Sequence, residues 1–197
     1  MILDDFKNAY ENEEDIINQK YNDEEIKLDF MHMTISKTEF KNCKCIGSKI
    51  THAFISDVTF INCDFSNTDF SDSSFTDVNF IDCKFFGCKF LNNSLRRIKI
   101  ENSNFSYSNF DSSNLKKVDF INSKLDYFVL SLCKIEKVKF EECSLLASTL
   151  VGTKLIGIDF RTSNIEGIIV KLEDIKGIIV SEWQALDLAK LLELDIR

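Results

Sequence analysis

An apolar residue recurs at every fifth position over most of this 197-residue chain. Between Phe30 and Val180 this period gives 31 consecutive positions, here called centres, and they hold 14 Phe, seven Leu, seven Ile, two Val and one Cys. The residues two before the centres are mostly small, with eight Ser, six Cys and three Thr among them. Since side chains two apart on an extended chain point the same way, both positions are predicted to face inward.

A period of five excludes the common regular structures. In an α-helix, successive centres would sweep around the whole circumference, and in a plain strand they would alternate between the two faces. A chain that turns a corner every five residues keeps all of them inside. Four sides then close a coil of about 20 residues, and coils about 4.8 Å apart give a rod of seven to eight coils and roughly 35 Å for residues 28–180. The predicted fold is all-β, a right-handed quadrilateral β-helix.

The repeating unit itself resembles that of a known family. Segments such as Asn62-Cys63-Asp64-Phe65-Ser66 and Ser103-Asn104-Phe105-Ser106-Tyr107 place a small residue, then Asp or Asn, then Phe. This pattern is similar to that of the pentapeptide-repeat proteins, whose members share the coil and differ in what they bind. No insertion interrupts the fives, so the chain looks like the loop-free members. With no Pro and only six Gly, other residues must form the corners.

The two ends depart from the repeat. In residues 1–27, Phe6, Ile16, Tyr21 and Ile26 are spaced by multiples of five but lie one residue out of phase with Phe30. This segment also carries nine acidic and three basic residues. It is interpreted either as an irregular first coil or as an acidic, mobile arm. Residues 181–197 begin with a capping-box spacing and good helix formers, which predict a helix from about Glu182 to Leu192 that caps the rod.

The C-terminal segment carries a second resemblance. Residues 177–186, from Gly177 to Leu186, resemble the C-terminal segment of the quinolone-resistance pentapeptide-repeat proteins, in which this helix joins two subunits end to end. The resemblance implies a homodimer, and the wide apolar arc of the helix supports it. The alternative is a lid without a dimer. The candidate interface residues are Trp183, Leu186, Leu188, Leu191 and Leu192.

Charge distribution distinguishes the outer walls. The chain has a net charge of −8, but residues 28–180 contain 19 acidic and 19 basic side chains, so the predicted rod itself is neutral. One group of outward positions forms a candidate partner-binding acidic wall, comprising Glu39, Asp82, Glu101, Asp119, Glu141, Glu142 and Asp159. A second group forms a candidate basic patch, comprising Arg96, Arg97, Lys116, Lys117, Lys134, Lys137 and Lys154. A third outward line, Ile61, Ile81 and Ile121, is apolar.

The sequence offers little for catalysis. Six of the seven cysteines occupy the small inward position and Cys45 occupies a centre, so all are interpreted as buried, reduced thiols. His32 and His52 lie 20 apart on an outward line without a cleft. We expect no enzyme activity, cofactor, bound metal, membrane insertion or direct nucleic-acid binding. The N-terminus has no basic segment followed by an apolar run, which favours a cytoplasmic location.

Two functions remain open. The resemblance to the quinolone-resistance proteins implies a DNA mimic that interacts with DNA gyrase or topoisomerase IV and protects against fluoroquinolones. The other hypothesis is a general protein-interaction scaffold unrelated to topoisomerases. The neutral rod and its basic patch favour the second hypothesis, whereas the helix and the acidic wall favour the first.

Overall fold

Chain segments that are 20 residues apart pair in parallel along almost the whole molecule. Phe60 lies beside Phe80, for example, and Phe120 beside Phe140. The computed structural model describes residues 2–192. Its strands are β1 (Ile16–Ile17), β2 (Lys20–Asn22), β3 (Asp29–Met31), β4 (Thr34–Ser36), β5 (Glu39–Lys41), β6 (Lys49–Thr51), β7 (Phe54–Ile61), β8 (Ser74–Ile81), β9 (Ser94–Glu101), β10 (Asn114–Ile121) and β11 (Lys134–Glu141). Two helices flank them, α1 (Ile2–Asn12) and α2 (Glu182–Ala189), and a 3-10 turn, Lys190–Leu192, ends the described chain.

The strands form a parallel β-solenoid of about six turns, which confirms the predicted fold class but is fewer than the seven to eight coils predicted from the repeat count. Each long strand from β7 to β11 covers two adjacent sides of the coil. The other two sides are joined by single bridges, such as Asn109 to Val129 and Lys124 to Ser144. Beyond β11 backbone hydrogen bonds continue the coil, as from the Leu155 nitrogen to the Asp174 oxygen. None of the helices described within residues 2–192 is long and apolar enough to cross a membrane.

The four sides are numbered here by their centres. The first wall contains Leu95, Leu115 and Ile135, and the second wall contains Ile100, Phe120 and Phe140. The third wall follows with Phe85, Phe105 and Leu125, and the fourth wall with Phe90, Phe110 and Leu130. The second wall is therefore opposite the fourth, and the first is opposite the third.

The centres fill the interior, as the period predicts. All of them are buried except Ile135, Ile175 and Val180, which are partly buried against the same core. Phenylalanine rings of successive coils stack, with centroids 4.9 Å apart for Phe40 and Phe60 and 5.0 Å apart for Phe120 and Phe140. A filled core of this kind derives most of its stability from burying apolar surface.

The small inward residues satisfy the backbone as well as fitting the space. The Ser113 hydroxyl donates to the Phe90 carbonyl oxygen at 2.7 Å and accepts from the Asn93 nitrogen at 2.9 Å. Thr153 bonds to the Leu130 oxygen and the Cys133 nitrogen in the same way. Because buried backbone groups need partners, Ser, Thr and Cys serve here better than Ala.

Left-handed backbone conformations form the corners. The residue two after a centre has a positive φ at almost every side, as at Asn62 (50°), Asp82 (54°) and Gly152 (75°). Asn, Asp and Gly tolerate this conformation best. All six glycines of the sequence occupy such positions, and Asn and Asp fill many of the others. These residues form the corners of a chain that has no proline.

The first segment contains a helix that neither interpretation included. Ile2, Phe6 and Ala9 of α1 are buried, and the Phe6 ring lies 5.7 Å from that of Phe30. Residues after α1 enter the coil, but their register is 19 rather than 20 residues, since Ile16 pairs with Ile35. This one-residue deletion explains the phase difference seen in the sequence. The division of the chain at residues 27 and 180 stays a prediction.

The C-terminal helix begins as predicted. Ser181 and Gln184 form a reciprocal capping box, in which the Ser181 hydroxyl accepts from the Gln184 nitrogen and the Gln184 side chain accepts from the Ser181 nitrogen. The Gln184 amide also donates to the carbonyl oxygens of Phe160 and Ser163, at 2.8 and 2.7 Å. This single side chain therefore starts the helix and attaches it to the open edge of the coil.

Candidate functional site

The acidic-wall residues lie together on the second wall and its following corner. Glu101, Asp119 and Glu141 belong to adjacent strands β9, β10 and β11, and Asp82 and Glu142 occupy left-handed corners. All seven residues of the set are partly or fully exposed. The predicted grouping is therefore present on one side of the rod.

Ion pairs reduce the negative charge of this wall at two positions. Lys99 lies 2.7 Å from Glu101, and Arg161 lies 2.7 Å from Asp159. Hydrogen bonds from Arg161 lower the pKa of Asp159 to about 2. Within residues 2–192 the other five carboxylates make no ion pair, and they are Glu39, Asp82, Asp119, Glu141 and Glu142.

The basic patch lies on the adjacent first wall, and all of its residues except Lys154 are carried by β9, β10 and β11. β9 provides Arg96 and Arg97, and β10 provides Lys116 and Lys117. Arg97 binds Asp77 through two of its nitrogens, and Lys116 lies 2.6 Å from Glu136. The remaining five cations have no ion-pair partner among the described residues, and they are Arg96, Lys117, Lys134, Lys137 and Lys154. The rod thus presents opposite charges on neighbouring walls.

The structure divides the candidate dimer-interface residues into two groups. Leu188 and Leu191 pack against the core of the last coil. Trp183 is 80% exposed, and Leu186 and Leu192 are about half exposed. The helix therefore covers the coil with one side and presents a tryptophan and two leucines to solvent with the other.

The predicted apolar line is less accessible than its residues suggest. Ile61, Ile81 and Ile121 are only partly exposed, because neighbouring coils cover their sides. Glu101 occupies the same outward line, paired with Ile81 and with Ile121. This line offers a partner little apolar surface.

The cysteines are buried thiols, and the two histidines are neighbours. All seven cysteines are buried and free of disulfides, and burial raises the pKa of the Cys133 and Cys143 thiols to about 11. The His32 and His52 rings lie 4.9 Å apart. In the part of the chain that the structure describes, no group of three or more His, Cys, Asp or Glu is arranged to hold a metal ion.

Comparison with known proteins identifies the repeat. The family model for the pentapeptide repeat region matches residues 33–110 and 101–169, which is more than half of the chain. The chain belongs to the pentapeptide-repeat family. No curated protein matches it.

Solved structures of pentapeptide-repeat proteins cover nearly the whole chain at low identity. One is HetL, involved in heterocyst differentiation regulation in the cyanobacterium Nostoc sp. strain PCC 7120, which is 14% identical, with 92% of this chain and 96% of HetL covered and a TM-score of 0.60. Another is full-length QnrB1, a plasmid-mediated fluoroquinolone resistance protein, which is 15% identical, with 90% and 97% covered and a TM-score of 0.41. At these identities the likeness concerns the fold alone.

Sequence reasoning missed an apolar surface on the pentapeptide-repeat coil. Tyr107 and Tyr127 are about half exposed, their rings stack 4.7 Å apart, and Phe86 lies beside Tyr107. Leu132 is 64% exposed at the next corner along the chain. The signal was available: three bulky apolar residues, Tyr107, Tyr127 and Leu132, stand at corner positions where Asn, Asp or Gly is usual.

Proposed function

We propose that this chain is a non-enzymatic binding protein whose rod presents charged walls to a macromolecular partner. The observation that carries the proposal is the filled interior combined with five acidic-wall carboxylates free of ion pairs within residues 2–192. Catalytic sites in proteins are usually concave and exclude water, and a wall of stacked coils provides neither feature. Binding therefore uses the outer surface.

The first candidate partner is DNA gyrase or topoisomerase IV, which the rod would engage as a mimic of duplex DNA. The sequence likeness of residues 177–186 to the quinolone-resistance proteins suggests this partner. A surface of the enzyme that binds DNA phosphates is basic. The carboxylates of the acidic wall therefore carry the sign of charge that such a surface attracts. In this role the protein would protect the enzyme against fluoroquinolones.

A supercoiling assay with and without a fluoroquinolone tests this candidate. We expect the protein to change gyrase activity or drug sensitivity in a salt-dependent manner, because surface charges are screened by salt. The variant Asp119→Lys with Glu141→Lys is expected to lose most of the effect. The matched control, Lys117→Glu with Lys137→Glu on the basic patch, is expected to retain it. Equal loss in both variants, or no effect of the native protein, would rule out the acidic wall as the contact.

The second candidate function is an interaction scaffold whose partner is an acidic protein surface. The basic patch favours it, since Arg96, Lys117 and Lys137 lie close together on three adjacent strands without ion-pair partners in the described chain. The same pair of variants discriminates the candidates. For a scaffold of this kind, the Lys117→Glu and Lys137→Glu variant loses its partner and the acidic-wall variant keeps it.

A homodimer through the C-terminal segment is part of the first candidate. Trp183, Leu186 and Leu192 form an exposed apolar set at the end of the rod, and such sets commonly mark contacts. End-to-end pairing would double the length of the rod. Light scattering of the full chain beside the variant Trp183→Asp tests this contact. Should both proteins have the mass of a monomer at high concentration, α2 is only a lid.

A further inference from the structure

The fourth wall and its two corners form the least charged surface of the rod from Tyr107 onward. Its outward column Asn109, Val129, Thr149 and Ile169 is joined by parallel bridges and contains no charge. The corner before it holds Tyr107, Tyr127, Ala147 and Gly167, and the corner after it holds Ser112, Leu132 and Gly152. Asp111 and Lys171 are the charged residues on this face within that range.

The backbone conformation at the corners makes bulky residues there costly. Tyr107, Tyr127 and Leu132 have φ values of 61°, 55° and 55°, all in the left-handed region. For a residue with a bulky side chain this conformation costs roughly 1–2 kcal/mol relative to glycine. Toward the N-terminus the same corner columns hold Asn67, Gly87 and Asn92, which adopt this conformation more easily, but also His32 and His52. Strained and exposed apolar residues are typical of binding surfaces.

The outward columns of this face are complementary in side-chain size when one copy of a column is laid against another in reverse order. In the corner column of Tyr107, large residues occupy the N-terminal half and small residues the C-terminal half, so that Tyr107 corresponds to Gly167 and Tyr127 to Ala147. In the middle column the order is opposite, because Asn109 corresponds to Ile169. Leu132 leans over Gly152 of its own chain, where a β-carbon would lie 2.7 Å from the Leu132 Cδ2. The Leu132 side chain therefore lies midway along its column, between the N-terminal half and the C-terminal half.

We propose that two copies of this chain associate side by side and antiparallel through the fourth wall. The two-fold axis lies in the plane of the interface and perpendicular to the rod, at the level between the coil of Tyr127 and that of Ala147. Each column therefore meets the same column of the second copy, running in the opposite direction. Tyr127 then packs over the small Ala147 of the second copy, and Leu132, which leans toward Gly152 of its own chain, lies beside the axis. A parallel pairing would instead place Tyr127 against Leu132 and would separate Asp111 from Lys171.

The charges and the end groove fit the antiparallel arrangement. It brings Asp111 of each copy opposite Lys171 of the other. Asp111 has no ion pair within residues 2–192, and Lys171 makes only a surface pair with Glu173 at 3.9 Å, which holds it weakly. Tyr107 meets Gly167, which lines an open groove between the last coil and α2. The groove is lined by Leu188 and Leu191 and also by the charged Glu166, Asp187 and Lys190. The two leucines offer the ring an apolar contact there.

The contact is small, and this limits its strength. Four coils spaced at about 4.8 Å cover a length of roughly 20 Å. An interface of this size falls below the roughly 1,200 Å² of total buried area typical of stable complexes, so we expect a dissociation constant of about 10–100 µM. The side contact uses different residues from the end contact through Trp183, and either can form without the other.

Sedimentation equilibrium of the full chain from about 5 to 500 µM tests the proposal, since this range brackets the expected dissociation constant. Tyr127→Asp with Leu132→Asp is expected to weaken dimerisation at least about tenfold, since it places charges in the apolar centre. The matched control is Ile156→Asp, an apolar residue that is 75% exposed beside the first wall, and we expect it to have no effect. Thermal unfolding of each variant confirms that it is folded.

Charge reversal tests the antiparallel geometry without touching the apolar residues. Asp111→Lys and Lys171→Asp are each expected to weaken association several-fold, and the double variant is expected to restore it. A native chain that remains monomeric up to about 500 µM overturns the proposal, because interfaces of even modest size associate in that range. So does a dimer that survives the Tyr127 and Leu132 changes but is lost in Trp183→Asp, a result that supports the end contact instead. Failure of the double reversal to restore association overturns the antiparallel arrangement.

Discussion

Each five-residue unit assigns one physical task to each of its positions. In the unit around Phe65, Cys63 packs inward and Phe65 fills the core. Asp64 faces outward, and its carboxylate accepts a hydrogen bond from the Ser66 nitrogen at 2.9 Å. Asn67 takes the left-handed corner at φ 58°. Neighbouring positions of the repeat therefore have different roles, and a substitution that unfolds the protein at one position is expected to be tolerated at the next.

At the centre position, Phe80→Asp should abolish the fold. Phe80 is 1% exposed, and its ring lies 5.2 Å from that of Phe60 and 4.8 Å from that of Phe85. Burying an unpaired charge there costs several kcal/mol, on the order of the whole stability of a domain. Chemical denaturation should show loss of the cooperative transition, whereas Asn79→Asp, one position outward, should retain it. An unchanged midpoint in Phe80→Asp would contradict the inward assignment of the centres.

At the corner position, Lys137→Asn should stabilise the protein. Lys137 is exposed and has φ 55°, a conformation that asparagine adopts more easily than lysine. We expect a gain of about 0.5–1 kcal/mol in the free energy of unfolding. The same substitution at Lys139, inside β11, should instead destabilise slightly because asparagine is disfavoured in strands. If both variants shift the denaturation midpoint equally, the corner conformation is not the cause.

Elements at the two ends close the rod in different ways. The capping box of α2 could be predicted because its signal is local, from Ser181 to Gln184. The helix α1 could not, because Phe6 also fits the five-residue spacing of Ile16 and Tyr21, and the two periodicities cannot be separated in so short a segment. The outward orientation of Trp183 and the inward orientation of Leu188 depend on how α2 sits on the last coil. Sequence spacing alone does not determine that placement.

Removal of the Gln184 side chain should loosen α2 specifically. Gln184→Ala breaks the reciprocal capping bond and frees the Phe160 and Ser163 carbonyl oxygens. Loss of a helix cap costs about 1 kcal/mol, and the two released carbonyl bonds add to that. Hydrogen exchange should become faster in residues 182–189 and stay unchanged in β7 to β10. Asp187→Ala removes only a surface ion pair with Lys190 and should leave the exchange of α2 nearly unchanged.

Across the whole molecule, the core could be predicted and the partner surfaces only in part. The period determines which side chains face inward, so the burial of Phe30 to Val170 follows from spacing. Sorting outward residues by 20 also placed the acidic and basic groups on separate walls. It did not reveal ion pairs such as Lys99 with Glu101, which depend on rotamers. Nor did it reveal the fourth wall, because its apolar residues become one surface only when corners and columns are assembled.

The buried thiols are expected to make the whole rod less stable as the pH becomes alkaline. Burial raises the pKa of Cys133 and Cys143 to about 11, above the usual value of about 8.5 that applies in the unfolded chain. As pH rises between these values, the unfolded chain releases protons that the folded chain retains, so the free energy of unfolding falls. The stabilisation is complete below about pH 8.5 and is lost as pH approaches 11. Denaturation midpoints measured from pH 7.5 to pH 10.5 should decline accordingly.

The variant with Cys133→Ser and Cys143→Ser is the control, because serine makes equivalent bonds at other inward positions and does not titrate. Its decline should be shallower, with the remaining slope due chiefly to other buried thiols such as Cys45 and Cys88, whose pKa values burial also raises. Identical slopes in the two proteins would mean that these thiols ionise as readily in the folded coil as in the unfolded chain.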